Sequence, residues 1–164
     1  MSRLSKDEYL WSLAYAANKR STCDRLRAGC TIARDGILLA IGYNGSCPGE
    51  PHCDEAGHDI QTIDGREHCV RTIHAEINAI INAAHNGVRI SDADWYITGV
   101  PCHQCSMAIV RLKPRCLFIC SDMGGNDDWS ERVGWWKNRG HSCRYPDRLI
   151  LATEKQLKEA GVIS

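Results

Sequence analysis

His74, Glu76, Cys102 and Cys105 are spaced as a group that could bind a metal ion and use it. The chain reads His74-Ala75-Glu76 and, further on, Pro101-Cys102-His103-Gln104-Cys105. One imidazole and two thiolates make three protein ligands of the kind zinc prefers. Structural zinc is closed by four ligands, whereas catalytic zinc keeps its fourth position for water. That open position lowers the pKa of the water from ~15.7 in bulk towards ~7. Glu76 lies two residues from a ligand, where it can handle the protons of that water without binding the metal. A closed zinc knot, with His103 or another residue as fourth ligand, would explain the cysteines but leave Glu76 and Pro101 without a role. A redox pair using Cys102 and Cys105 would leave His74 and Glu76 unexplained.

These residues need elements to position them. Residues 74–86 read as a helix, with Ile77, Ile80, Ile81 and Ala84 as its apolar face and Asn86-Gly87 as its end. Pro101 opens a second helix over 102–112, because proline suits the first turn, and Pro114 marks its end. Both ligand segments thus fall at helix starts, where free N–H groups and the positive dipole end favour thiolates. The i, i+3 spacing brings Cys102 and Cys105 to one side. Short apolar runs at 95–98 and 116–120 flank the second helix, so a strand–helix–strand unit with parallel strands is expected.

Upstream, Ser5-Lys6-Asp7-Glu8 has the form of a capping box before a helix from 6 to about 19 that carries Leu10, Leu13, Ala14 and Ala17. Asp35-Gly36 separates apolar runs at 28–34 and 37–41 and predicts a hairpin. The second run ends at Gly42-Tyr43-Asn44-Gly45, where glycines allow close backbone approach to a ligand. Residues 46–72 lack periodicity and read as a long loop of the kind held by a metal or by function. Downstream, residues 128–139 read as a helix carrying Trp129, Val133 and Trp136. A strand near 142–145 or 149–151 and a last helix capped by Thr153 and ending at Gly161 follow. The pattern predicts one α/β domain over 1–164: a mixed sheet, hairpin first and parallel strands later, with helices on both faces.

The 164 residues carry 20 Lys and Arg against 20 Asp and Glu, so no global basic field draws in long nucleic acids. No apolar run is long enough to span a membrane, and residues 1–8 are too polar for a signal peptide. The expectation is a cytoplasmic protein, in host cytoplasm if viral. Ten cysteines beside seven histidines, without an export signal, point to metal chemistry rather than a disulfide framework. Cys30, Cys116, Cys120 and Cys143 lie in or beside apolar stretches and read as small buried hydrophobes.

His-x-Glu followed by Pro-Cys-x-x-Cys is the signature of zinc deaminases, in which activated water attacks an amidine-like carbon such as C4 of cytosine. Over most of residues 6–121 the chain resembles the deoxycytidylate (dCMP) deaminases of the cytidine deaminase superfamily. The resemblance rests on Ser21-Thr22-Cys23-Asp24-Arg25, Gly42-Tyr43-Asn44-Gly45, His52-Cys53, and His68 through Glu76 followed by Asn78-Ala79-Ile80. It implies a three-layer α/β/α fold with a five-stranded mixed sheet. It also implies zinc-dependent hydrolysis of dCMP to dUMP and ammonia, feeding thymidylate synthesis, with His74, Cys102 and Cys105 as metal ligands and Glu76 as the catalytic residue. A homohexamer activated by dCTP and inhibited by dTTP, with Mg2+, is a further implication.

By position the resemblance places Asn44 against the sugar or beside the nucleotide, and Gly42, Tyr43, Asn44 and Gly45 between catalytic and regulatory pockets. Asn44 reads equally as a turn residue. A phosphate needs a cation or backbone donors; Arg25 is the first candidate and Arg71 the second. Some members of the family carry a second, structural zinc near the long loop. Cys23, Cys53, His68 and Cys69 are the set for it here, with Cys47, His52 and His58 as substitutes. The alternatives are deamination of cytidine, of a pterin or guanine-like base or of adenosine in tRNA, or a zinc-binding module without catalysis.

Overall fold

The computed structural model describes residues 3–63, 65–123, 130–139 and 145–164. In chain order the elements are α1 (Lys6–Asn18), β1 (Gly29–Arg34), β2 (Ile37–Tyr43), β3 (Gly45–Ser46), α2 (Cys53–Ala56), β4 (Ile60–Ile63), β5 (Arg66–Cys69), β6 (Thr72–Ile73) and α3 (Ala75–His85). Then come β7 (Asp94–Ile97), α4 (His103–Arg111), β8 (Cys116–Cys120), α5 (Ser130–Arg139), β9 (Arg148–Ala152) and α6 (Glu154–Glu159). Five strands form one mixed sheet in the order β2-β1-β7-β8-β9. β1 runs antiparallel to both neighbours, and β7, β8 and β9 are parallel.

Local chemistry explains the starts. Ser5 and Glu8 close the capping box on α1. Asp35 and Gly36 both take positive φ, 54° and 82°, which turns β1 into β2. Thr153 caps α6 through the Gln156 N–H, again with a reciprocal bond.

Strand alternation then divides the core. Ile32, Trp95, Ile97, Leu117 and Ile119 point to one face, where α3, α4 and α5 supply Ala79, Ile109 and Trp136. Ala33, Tyr96, Phe118 and Cys120 point to the other, covered by Leu10, Trp11 and Ala14 of α1 and Leu157 of α6. The result is the three-layer α/β/α arrangement. Tyr96 and Phe118 stack with centroids 4.5 Å apart, and Trp11 donates to the Ile97 carbonyl at 3.1 Å. Cys30 and Cys120 are buried as expected and Cys116 only partly; Cys143 lies outside the described residues.

Three expectations need correction. The first concerns α3, whose buried face is Ala75, Glu76, Ala79 and Ala83. Ile81 is 47% exposed, Ala84 is exposed, and Ile77 and Ile80 are only partly covered. The reason is distance. A Cβ on Gly42 would lie 2.3 Å from the Ala75 carbonyl oxygen and 2.4 Å from the Ala79 nitrogen. The helix lies so close to β2 that only small residues fit between them, which leaves the isoleucines on the outside. Asn78 and Asn82 reinforce the contact by donating to the Tyr43 and Ile41 carbonyls, both at 2.8 Å.

The second correction follows from the first. Gly42 is a paired residue of β2, opposite Cys30, and its missing side chain makes room for α3 rather than for a ligand. Gly42→Ala is expected to lower stability by about 1–3 kcal/mol through overpacking against backbone that cannot rotate away. Thermal unfolding followed by circular dichroism measures this, and an unchanged midpoint would mean that α3 is not held against β2 here.

The third correction is the loop at 46–72. It contains α2, a short β3–β6 pairing, and a β4–β5 ribbon registered Ile60 with Cys69 through Ile63 with Arg66. Every residue of β4 is exposed, so no apolar alternation marks the strand. Its signal was Asp64-Gly65, the same dipeptide that turns the first hairpin. Of the tail elements, α5 is described from Ser130 and β9 matches the run near 149–151. Residues 128, 129 and 142–144 lie outside the described residues. Among the described residues, no helix is long and apolar enough to cross a membrane.

Candidate active site

The residue just before α3 and the residue just before α4 meet beyond the carboxyl end of β7. His74 is the N-cap of α3 in extended conformation, and Cys102 is the N-cap of α4, its sulfur accepting from the Cys105 N–H at 3.5 Å. His74 Nδ1 lies 3.4 Å from the sulfur of Cys102 and 3.4 Å from that of Cys105. The three ligand atoms all lie within 4.8 Å of one another. A tetrahedral zinc with ordinary Zn–S and Zn–N bonds separates sulfur from nitrogen by about 3.5 Å. The donor set and its spacing therefore fit zinc, with three protein ligands.

The thiols share their protons unequally. A hydrogen bond with Cys105, and others from His74 and the Cys105 N–H, hold the Cys102 thiol well below its ordinary range despite its burial. The same Cys102–Cys105 bond, together with burial, pushes Cys105 up. His74 is raised above its ordinary value, chiefly by the bond to Cys102. Glu76 is 5% exposed. Burial holds its carboxyl above the usual carboxylate range, and the charge of His74 opposes the shift.

His74, Glu76 and Cys102 line a cavity of about 560 Å³, within the ~300–1,000 Å³ typical of small-molecule sites. Asn44 lines it too, and is 6% exposed. The Asn44 side-chain oxygen accepts from the Ala28 N–H at 2.8 Å, and its amide donates to the Leu26 carbonyl at 2.5 Å. It thus shapes the wall while keeping one N–H and one lone pair for a ligand. Gly42, Tyr43 and Gly45 are not among the lining residues. Arg25 is exposed and lines the cavity; Arg71 does not, and its Nε donates to the Gly57 carbonyl at 2.9 Å.

Sequence reasoning missed three contributors to the cavity wall. Arg132, on α5, lines the cavity near enough for its charge to act on His74. It lies beyond the last motif, and nothing local marks it. Glu67 and His68, on β5, also line the cavity.

The second cluster differs from the expected set by one residue. Cys23, Cys53, His58 and Cys69 present ligand atoms within 4.8 Å of one another. His68 is outside this group because it precedes Cys69 on β5, and successive strand side chains point to opposite faces. His58 reaches the cluster through Gly57, whose φ of 75° and ψ of 178° suit glycine alone. Cys47 is exposed and, like His52, is not in the group. Burial pushes the Cys53 thiol up to about 12. Burial opposes ionisation of Cys69 as well, yet the Arg71 and Asp59 N–H groups and His58 bring its thiol down to about 7.

Comparison with known proteins adds the relationship. The family described as cytidine and deoxycytidylate deaminase zinc-binding region matches residues 4–121. ComE operon protein 2 of Bacillus subtilis is 40% identical over 122 residues, 74% of this chain and 62% of that protein. The chain therefore spans under two thirds of that relative's length. Deoxycytidylate deaminase of Mycobacterium phage D29 is 32% identical over 117 residues, 66% of this chain and 89% of the phage protein. The dCMP deaminase of cyanophage S-TIM5, solved in complex with dCMP and dUMP, has a TM-score of 0.66 at 19% identity and covers 93% of this chain and 99% of its own. At that identity the likeness shows the fold alone.

Proposed function

The chain belongs to the cytidine and deoxycytidylate deaminase family, and on that premise we propose that it hydrolyses dCMP to dUMP and ammonia as one zinc-dependent domain over 1–164. The observation that carries this reading is the meeting of His74, Cys102 and Cys105 at zinc spacing beside buried Glu76, in one cavity of nucleotide size. His74, Cys102 and Cys105 hold the ion. Zinc, when bound there, supplies a water acidic enough to attack near neutral pH. Glu76 takes the proton of that water, delivers a proton to N3 of the base, and protonates the departing amine. Arg25 faces the phosphate, with Arg132 as a second cation on the same cavity. Asn44 offers its remaining N–H or lone pair to the sugar.

The same reading places the reaction in pyrimidine nucleotide biosynthesis in the cytoplasm, or in host cytoplasm if the chain is viral. It extends to a homohexamer with dCTP as activator and dTTP as inhibitor, each with Mg2+, at a regulatory site near Tyr43 to Gly45. An apolar surface supports association: Ile37, Leu38 and Ile41 on edge strand β2 are 67%, 43% and 36% exposed, and Ile81 lies on neighbouring α3.

Ultraviolet-monitored deamination of dCMP, beside dCTP and cytidine and with or without dCTP and Mg2+, tests the whole reading. Turnover of dCMP, sigmoidal and made hyperbolic by dCTP, is the expected outcome. Turnover of cytidine instead would keep the chemistry and discard the substrate. Hyperbolic turnover indifferent to dCTP would remove the regulation alone.

A further inference from the structure

We propose that Glu67 makes the cavity selective for a nucleoside monophosphate, by setting a negative charge where the second and third phosphates of a longer nucleotide would lie. The proposal rests on the dCMP reading for its substrate. That reading leaves one lining residue without a role. Arg25 and Arg132 suit an anionic substrate, yet Glu67 stands on the same wall. Besides Glu76, it is the only carboxylate among the described lining residues. A carboxylate in an anion site weakens binding, and specificity is often built from such repulsive elements.

The placement of Glu67 shows what it would repel. The reacting end of the cavity is the buried one, where Glu76 is 5% exposed. Arg25 and Glu67 are both exposed and mark the open end. They share one stretch of the rim. Cys23, two residues before Arg25, and Cys69, two residues after Glu67, also line the cavity, and their sulfurs lie within 4.8 Å of each other. Residues two apart on a strand share a face, so Glu67 is on the same side of β5 as Cys69. Among the described residues no ion pair joins Glu67 to Arg25, so neither charge cancels the other. A nucleotide with its base at Glu76 and its first phosphate on Arg25 would carry further phosphates outward past Glu67. Each of them adds negative charge, and like charges brought together cost affinity. The proposed activator makes this selection useful: dCTP shares the base and sugar of dCMP, and would compete for the catalytic cavity if it were admitted there.

Internal competition tests the role. Equal concentrations of dCMP, dCDP and dCTP are incubated with the zinc-loaded chain, and dUMP, dUDP and dUTP are separated by anion exchange. The product ratios report relative kcat/KM at the catalytic site whatever the effectors do, because all three substrates meet the same enzyme. The wild-type chain should yield mainly dUMP. Glu67→Gln should raise the ratio of dUDP to dUMP by about fivefold, the worth of one exposed charge pair, and Glu67→Lys by about twentyfold. The ratio of dUTP to dUMP should rise further in both. Glu67→Asp keeps the charge and should stay near wild type. Wild-type ratios in both Glu67→Gln and Glu67→Lys overturn the proposal. So does an equal shift in Glu67→Asp, which would trace the effect to shape rather than charge. A wild-type chain that deaminates none of the three overturns the dCMP reading instead. Calorimetric binding of dUMP against dUDP to the same variants then decides the role of Glu67, and absence of binding overturns both.

Discussion

Glu76→Gln is expected to lower turnover of dCMP by about 10²–10⁴-fold, the usual worth of a positioned acid–base group. The substitution keeps size and shape, so His74, two residues earlier, keeps its place at the start of α3. Zinc content should stay at the wild-type value. Stability should not fall, because burial already disfavours the charged carboxylate and the amide carries no charge to bury. What the amide cannot do is take a proton and give it back. Steady-state kinetics, zinc analysis and thermal unfolding on the same preparation separate these effects. Turnover near wild type would remove Glu76 from the proton path.

Cys102→Ala should have the larger effect, since it removes a ligand rather than a helper. Two ligands remain, and the Cys105 N–H loses the sulfur that accepts its hydrogen bond at the start of α4. The expected result is loss of the ion at this site and turnover below that of Glu76→Gln. Water without the metal is a far weaker acid, ~15.7 against ~7. Cys102 is only partly buried, so the fold should survive, and circular dichroism can verify this. Normal zinc content with normal turnover would contradict the ligand assignment. Added zinc should not restore activity to this variant, whereas it should restore a chelator-stripped wild-type chain.

The main elements were legible because their signals are local. Ser5 and Glu8 mark the start of α1, Asp35-Gly36 the first turn, and Pro101 the approach to α4. The parallel β7–β8 pair followed from strand, helix and strand in succession. The β4–β5 ribbon was missed because it is exposed, and a strand without a buried face shows no alternation. Arg132 was missed because its place on the cavity depends on how α5 packs. Trp136, one turn further along that helix, is buried in the main core, and no motif around Arg132 encodes that packing.

By itself, then, the sequence determined the layered α/β order and brought His74, Cys102 and Cys105 to helix starts. Capping residues, turn dipeptides and short apolar runs act within a few residues of where they stand. Tertiary structure alone decided which face of α3 is buried, because that depends on the space beside Gly42 on a strand distant in sequence. It also decided which histidine joins Cys23, Cys53 and Cys69. His68 adjoins Cys69, yet strand pleating turns it away from the sulfurs, while the turn at Gly57 carries His58 to them. Sequence proximity favours the wrong residue there, since a ligand set is chosen by where side chains meet and not by how close they lie along the chain.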